Sequence, residues 1–440
     1  MTHVRRIGLA LLLAGGMAYY YYGLFVPAWR AHLAARGLAG GCYSDLYPRW
    51  LATRELLINH RDPYAPEVTR NIQKGFYGRS LQAADAHVDQ ERFAYPAYTV
   101  FLFAPTIAWP FPYVGAVFTS VFFVLTAASV PLWCRGLGVD SGAPAKTALT
   151  ILMLGSFPVL DALYLQQLTL LVAALLAAAA ASVAHQRLAV AGVLLAFAMI
   201  KPQVAALPAL FLFLWVLGNW PARKKLVWGF AATMVLLWTG AELLLPGWVG
   251  RWLDQLGPYV GYTRPPRLQW LLGDWGGSIV ALFLLGLLAV FSWRNRRQPA
   301  GSSAFGLGLV LALAITVSIL PNGTGSNYDQ VLLLPAALWL GGSWGYFKQK
   351  PLLILYVLAG VLLFWEWASA LGVVLVSFAP SAPAVEKSGM VLPHFGLLLF
   401  PFVVLLLASL VMVRRMREGT ALVPTQGWTI AEQISPRASD

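Results

Sequence analysis

The sequence predicts an all-α protein that crosses a membrane many times, and three observations carry that prediction. Hydrophobic residues make up 59% of the 440 and charged residues only 11%, against roughly 45–50% and 25% in soluble globular chains. Polar groups are therefore too few to cover a soluble surface. Runs of about 20 apolar residues recur along the chain, the length a helix needs to cross hydrocarbon. These runs are continuous rather than alternating, which argues against a β-barrel. Together the three exclude a soluble enzyme, a disordered chain and a disulfide scaffold.

The elements follow in order. The segment 7–29 comes after Arg5-Arg6 and has the basic end and apolar core of a signal peptide. No small-residue cleavage site follows, and Met17 to Trp29 continues apolar and aromatic, so it reads as a retained span. Further spans are expected over 112–134, 146–162, 168–184, 188–200, 203–218, 226–245, 275–293, 304–320, 330–346, 352–376 and 393–413. Segment 97–111 reads as an extra apolar helix that touches the membrane and returns. About twelve crossings place both termini on one side. Residues 1–418 then form one integral-membrane domain, and 419–440, which lacks periodicity, reads as a disordered cytoplasmic tail.

Charge placement sets the orientation. The net charge of +13 sits in small clusters between apolar runs, such as Arg223-Lys224-Lys225 and Arg294/Arg296/Arg297. That is the signature of cytoplasmic loops rather than of a nucleic-acid surface. With the N-terminus inside, 17 of the 31 Lys and Arg fall on inner segments and nine of the remaining 14 lie in one loop, 30–97, too long for the rule to govern. Carboxylates segregate the other way: of 18, only Asp140, Glu418, Glu432 and Asp440 fall inside. Acid–base chemistry is therefore expected on the extracytoplasmic face of a multi-pass plasma-membrane protein.

The two cysteines, Cys42 and Cys134, fall too far apart across the membrane to pair. No Walker loop, dinucleotide fingerprint or His/Cys metal spacing occurs. The sequon Asn322-Gly323-Thr324 is short enough to arise by chance.

The outer loops carry the chemistry. Loop 30–97 holds seven carboxylates, including Asp45, Asp62, Asp89 and Glu91, and aromatics that a disordered linker lacks. It is expected to fold onto the membrane surface with short interfacial helices. Pro48 suits the first turn of one such helix, on which Trp50, Leu51, Leu57 and Ile58 share a face that should lie along the interface. Asp45 then stands just before this helix, facing a cavity at the bilayer surface; the same position also suits a carboxylate that only complements the macrodipole. Asp62-Pro63-Tyr64 and Phe93-Ala94-Tyr95-Pro96 are local turn signals. Gln166-Gln167 offers amides to a polar ligand or caps to two helix ends. Lys201-Pro202 places a lone cation in a short loop, either a snorkelling lysine or an anion clamp. Ser326-Asn327-Tyr328-Asp329 places a helix N-terminus toward the outer cavity, with Asp329 also suited to cap it. Loop 246–274 adds tryptophans and tyrosines with Arg251, Arg264 and Arg267, a set that suits either an anchoring belt or sugar rings and phosphates.

Taken in order, these residues resemble glycosyltransferase family 87, the polyprenol-phosphate-dependent, mannosyltransferase-like group with the GT-C fold. Ser44-Asp45-Leu46-Tyr47 is similar to the family's acidic motif in the first outer loop, Asp62-Pro63-Tyr64 to its Asp-Pro-Tyr, and Phe93-Ala94-Tyr95-Pro96 to its Phe-x-Tyr-Pro. Gln167, Ala191-Gly192 and Lys201-Pro202 are similar to its Gln … Ala-Gly … Lys-Pro stretch. The motifs cover about residues 40–215. Two departures stand out: Gln166 occupies a position where the family often has Gly, and Asn327, Tyr328 and Asp329 stand where some members have a histidine.

The resemblance implies a membrane enzyme of the cell envelope that moves a hexose or pentose, mannose being the first candidate, from a polyprenyl-phosphate donor to a hydroxyl of a glycolipid or glycan. Asp45 would be the general base, and Lys201, with Arg264 and Arg267 behind it, would meet the charge developing on the leaving phosphate. Gln167, Asp62, Tyr64, Tyr95, Tyr328 and Asp329 would bind donor or acceptor. No Asp-x-Asp occurs, so a metal-independent, inverting single displacement without cofactor is expected. A transporter or lipid flippase is the alternative, but it would place ionisable groups at mid-membrane, where only Glu366 clearly lies.

Overall fold

The computed structural model describes residues 3–85, 88–321, 326–343, 347, 352–378, 391–418 and 428–429. Six helices are long and apolar enough to cross a bilayer: His3–Ala34, Phe111–Leu137, Trp220–Leu244, Arg267–Asn295, Leu352–Ser377 and Leu392–Arg417. A seventh crossing arises if Ala143–Leu154 and Phe157–Tyr164, bent by 54°, count as one. The protein is thus an all-helical, multi-pass membrane protein. The expectation of about twelve crossings exceeds what these lengths show. Thr169–Ala184, Leu188–Ala198, Pro202–Leu217 and Ser303–Ile319 have 11 to 17 residues, and at 1.5 Å per residue they rise only about 17–26 Å, short of the ~30 Å hydrocarbon. The expected span 330–346 is a 3₁₀ segment, Asn327–Leu333, followed by the nine-residue helix Leu334–Gly342.

Small residues let these helices meet closely, as packing in a membrane requires. Gly136 of Phe111–Leu137 lies against Ala180 with no room for a Cβ. Gly192 lies against the backbone of Leu226, and Gly229 against that of Ala189, so Leu188–Ala198 and Trp220–Leu244 touch backbone to backbone. The first helix carries a π segment, Tyr20–Phe25, that places Tyr21 on Asp161 (2.9 Å). Glu366, expected within a span, accepts from the Phe157 N–H (3.1 Å) and so caps the second half of the bent pair.

The connections gather at two ends. At one, Arg223 donates to the carbonyls of Trp215, Arg296, Arg297 and Gln298, and Arg415 donates to Ser303. All of these lie in segments that charge alternation assigned to one side. The other end holds the long loop, the turns 165–168 and 199–201, and residues 320–321 and 326–329. Of the expected tail 419–440, only the backbone of Trp428–Thr429 is described, paired in parallel with Val139–Asp140; the rest, like the sequon, lies outside the described residues.

The long loop is folded, as expected. Tyr47–Leu57 and Pro66–Tyr77 are helices, but the first is not an interfacial stripe. Trp50, Ala52, Thr53, Glu55 and Leu56 are buried, while Ile58 is exposed. The helix is covered by segment 97–111 and Phe111 (Trp50 Nε1 to the Thr106 carbonyl, 3.3 Å), so packing replaces the predicted apolar face. Residues 88–92 are tied to Pro66–Tyr77 by Tyr77 Oη to the Asp89 carbonyl (2.7 Å) and Gln73 to the Gln90 carbonyl (3.1 Å). Cys42 and Cys134 are both free thiols, one exposed and one buried.

Candidate active site

A cavity of about 330 Å³ lies at the loop end, lined among others by Asp45, Arg49, Asp89, Glu91, Tyr95, Gln167, Lys201, Trp252, Tyr328 and Asp329. Residues more than 280 positions apart thus form one wall system. Five expected site residues, Lys201, Gln167, Tyr95, Tyr328 and Asp329, join Asp45 here.

Asp45 is held by the turn after Phe157–Tyr164. Its N–H donates to the Leu165 carbonyl (2.8 Å), and its Oδ2 accepts from Gln167 Nε2. Gln167 therefore serves the carboxylate rather than a helix end. Gln166 has φ +56, the left-handed region in which glycine costs least. Here the side chain is bonded twice, accepting from Ser44 Oγ and donating to Thr119 Oγ1 (2.9 Å). Burial pushes the Asp45 carboxyl up to about 6, against the pull of the Arg49 guanidinium. Glu91, with φ +50, is held well above the usual carboxylate range by burial first and then by Asp89 and Asp45. Two strained backbone positions thus flank one cavity, the clustering expected of a functional site.

Elsewhere in the lining Lys201 and Asp329 form a buried ion pair (3.1 Å). Thr169 Oγ1 accepts from Lys201 Nζ and donates to Asp329 Oδ1 (2.9 Å), and the ammonium lies 5.1 Å from the Tyr328 ring centre. Asp329 is therefore not a helix cap. Its carboxylate and the Lys201 ammonium answer each other.

Other expected site residues stand elsewhere. Asp62 pairs with Arg251 (2.9 Å) and accepts from the Tyr64 N–H (2.9 Å). Tyr64 is buried and donates to the Tyr95 carbonyl (2.7 Å). Neither lines the cavity; they hold Tyr95 and dock the helix Trp248–Tyr262 against the loop, because a turn carboxylate satisfies its own backbone and the nearest cation first. Arg267 is fully buried, donating to the carbonyls of Val317 and Ser326, and lies outside the cavity lining. Arg264 lines a second, larger cavity of about 950 Å³ with Tyr21, Trp29, Asp161, Trp270 and His394; Asp89 borders both.

Sequence reasoning missed Arg49 and Arg92, and it named Asp89, Glu91 and the tryptophans of loop 246–274 only as members of their loops; Arg49, Asp89, Glu91, Arg92 and Trp252 all lie on the cavity wall, with Thr169 behind it. A signal existed for the first: Arg49 is one helical turn after Asp45 and faces the same way. Asp89 and Glu91 immediately precede the Phe-Ala-Tyr-Pro turn. Among the described residues no group of three or more His, Cys, Asp or Glu has metal-binding geometry.

Residues 93–321, just over half of the chain, match the family model of glycosyltransferase family 87. The matched stretch contains Tyr95, Gln167 and Lys201 and ends before Tyr328, while Asp45 precedes it. No curated protein and no solved structure matches the chain. The match spans the middle of the bundle and two of the cavity's walls, and the chain accordingly belongs to glycosyltransferase family 87, a family of membrane glycosyltransferases.

Proposed function

We propose that the protein transfers a hexose or pentose, with mannose as first candidate, from a polyprenyl-phosphate donor to a hydroxyl of a glycolipid or glycan, at the extracytoplasmic face of the plasma membrane. The observation that carries this reading is Asp45. Its carboxyl lies on the cavity wall, is raised to about 6 and is oriented by Gln167. A base with a pKa near the working pH is ionised yet still basic enough to accept a proton.

In the proposed step the acceptor hydroxyl oxygen forms a bond to the anomeric carbon as its proton passes to Asp45. The bond from that carbon to the phosphate oxygen breaks, and its electron pair leaves with the lipid phosphate. One displacement inverts the anomeric centre. Tyr95 and Tyr328 flank the sugar. The lipid phosphate is already a stable anion, so cationic side chains in place of a metal or an acid suffice for departure. Helices that end at the cavity after only about 17–26 Å allow a phosphate to enter laterally near the headgroup level. The whole of 1–418 serves as one catalytic domain, with both termini cytoplasmic.

The test is sugar transfer by the purified protein from a radiolabelled polyprenyl-phosphate sugar. Asp45→Asn should lower kcat about 10²–10⁴-fold with the elution profile of the folded protein unchanged. Retained transfer would remove Asp45 as base. Solute uptake by proteoliposomes without transfer would favour the transporter.

A further inference from the structure

Three cations reach the cavity, and they differ in what already occupies them. Lys201 has Asp329 at 3.1 Å and Thr169 beside it, so its charge is neutralised within the wall. Arg49 lies 4.3 Å over the Tyr95 ring and donates Nη1 to the Asp45 backbone carbonyl (2.5 Å), while its buried Nε has no partner. Arg92 donates Nη1 to Gln255 Oε1 (3.2 Å), and its buried Nε is likewise without a partner. Neither arginine forms an ion pair with a carboxylate among the described residues; Asp45, Glu91 and Asp89 act on Arg49 only through space. A guanidinium presents five donors in a plane, and a buried donor left unmet costs free energy. Two such groups on the wall that holds Asp45 call for an acceptor-rich anion.

We propose that Arg49 and Arg92 form the seat of the donor's phosphate, and that Lys201 holds Asp329 and Tyr328 in place instead of binding that phosphate. The inference rests on the reading of the protein as a lipid-phosphate-dependent transferase. The chemistry agrees with the step proposed above. The donor is a phosphodiester with one negative charge; when its bond to the anomeric carbon breaks, the phosphate becomes a monoester that takes on a second charge. Guanidinium pairs match phosphate geometry bidentately, and unspent donors placed where charge develops act more strongly on the transition state than on the bound donor. A lysine already paired with a carboxylate gives little of that response.

Binding of a polyprenyl phosphate and, separately, of inorganic phosphate to the full-length protein in nanodiscs decides the matter, read by calorimetry. Arg49→Gln and Arg92→Gln should each weaken polyprenyl-phosphate binding roughly ten- to hundredfold. Arg49→Lys, which keeps the charge and loses the fork, should recover only part. The double variant Lys201→Gln/Asp329→Asn, which preserves net charge, should stay within about threefold, the scale of a rim effect. The proposal is overturned if the arginine variants bind like the wild type, or if the double variant loses the phosphate while they keep it. Binding of inorganic phosphate that depends on the arginines, without binding of the lipid phosphate, would keep the seat and remove the lipid donor. A wild type that binds neither would remove the seat.

Discussion

Arg223 and Arg49 are both largely enclosed by protein, at opposite ends of the bundle, and their surroundings differ in one respect. Arg223 spreads four hydrogen bonds over the carbonyls of residues 215, 296, 297 and 298 and stacks 3.8 Å over Trp215. Those carbonyls come from two helix ends and the turn beyond, groups that lack intrahelical partners. The guanidinium is a clasp, with four of its five donors spent on carbonyls. Arg49 gives one bond to a carbonyl, lies over one ring and leaves a buried Nε unmet. Burial alone therefore does not distinguish the two arginines; the number of donors already spent does.

The largest expected effect falls at the clasp. Arg223→Gln removes charge-assisted bonds at a helix-end junction, each worth about 1.5–3 kcal/mol; with the glutamine amide replacing part of them, it should cost at least about 3 kcal/mol of stability. The measurement is thermal melting in detergent alongside transfer activity per folded molecule. Melting should fall while specific activity holds. A variant that melts normally but transfers poorly would break the comparison, because it would give the saturated arginine a functional role.

A smaller effect is expected on the pH dependence set by Asp45. Its folded carboxyl is raised to about 6 above an ordinary value near 4. The protonated form is thus favoured by the fold: this group's contribution to stability is fully present below about pH 4 and is lost as pH rises through about 6. Activity runs the opposite way, rising as the base ionises. The hydrogen bond from Gln167 lowers this pKa, so Gln167→Leu should move the acid limb of kcat/KM upward by roughly one pH unit. A limb that stays in place would show that another group controls it.

How much of this was legible in the sequence depends on the kind of contact. Asp45, Gln167, Lys201, Tyr328 and Asp329 all stand at ends of apolar runs on one side, and charge alternation placed them at one end of the bundle. Their mutual contacts were not legible: the Gln167–Asp45 and Lys201–Asp329 bonds join residues 122 and 128 positions apart. Asp62 and Tyr64 stand outside the cavity lining, which the sequence could not tell, because a motif residue that braces a loop and one that lines a cavity have the same local signature. The number of crossings was not legible either, because an apolar helix of only 11 residues, such as Leu188–Ala198, reads in sequence like a full span. Arg49 was open to inspection, one turn from Asp45, yet a single arginine on a short helix gives no hint that its donors stay unmet.

The smallest effect tests whether the strained turn beneath Asp45 belongs to the functional end. Gln166 sits at φ +56, which costs a non-glycine residue on the order of 1 kcal/mol, and two side-chain bonds, to Ser44 and Thr119, offset it. Gln166→Gly relieves the backbone and deletes both bonds, each worth about 1 kcal/mol net, so stability should change by only about 1 kcal/mol. Ser44 immediately precedes Asp45 and also bonds the Leu46 N–H (3.2 Å), so freeing it loosens the segment that carries the carboxylate. Transfer should then drop severalfold in kcat while the melting temperature barely moves. The inverse pattern, a lower melting temperature with kcat intact, would make the turn a brace like Arg223 and shift the boundary between the two regions to within one residue of Gln167.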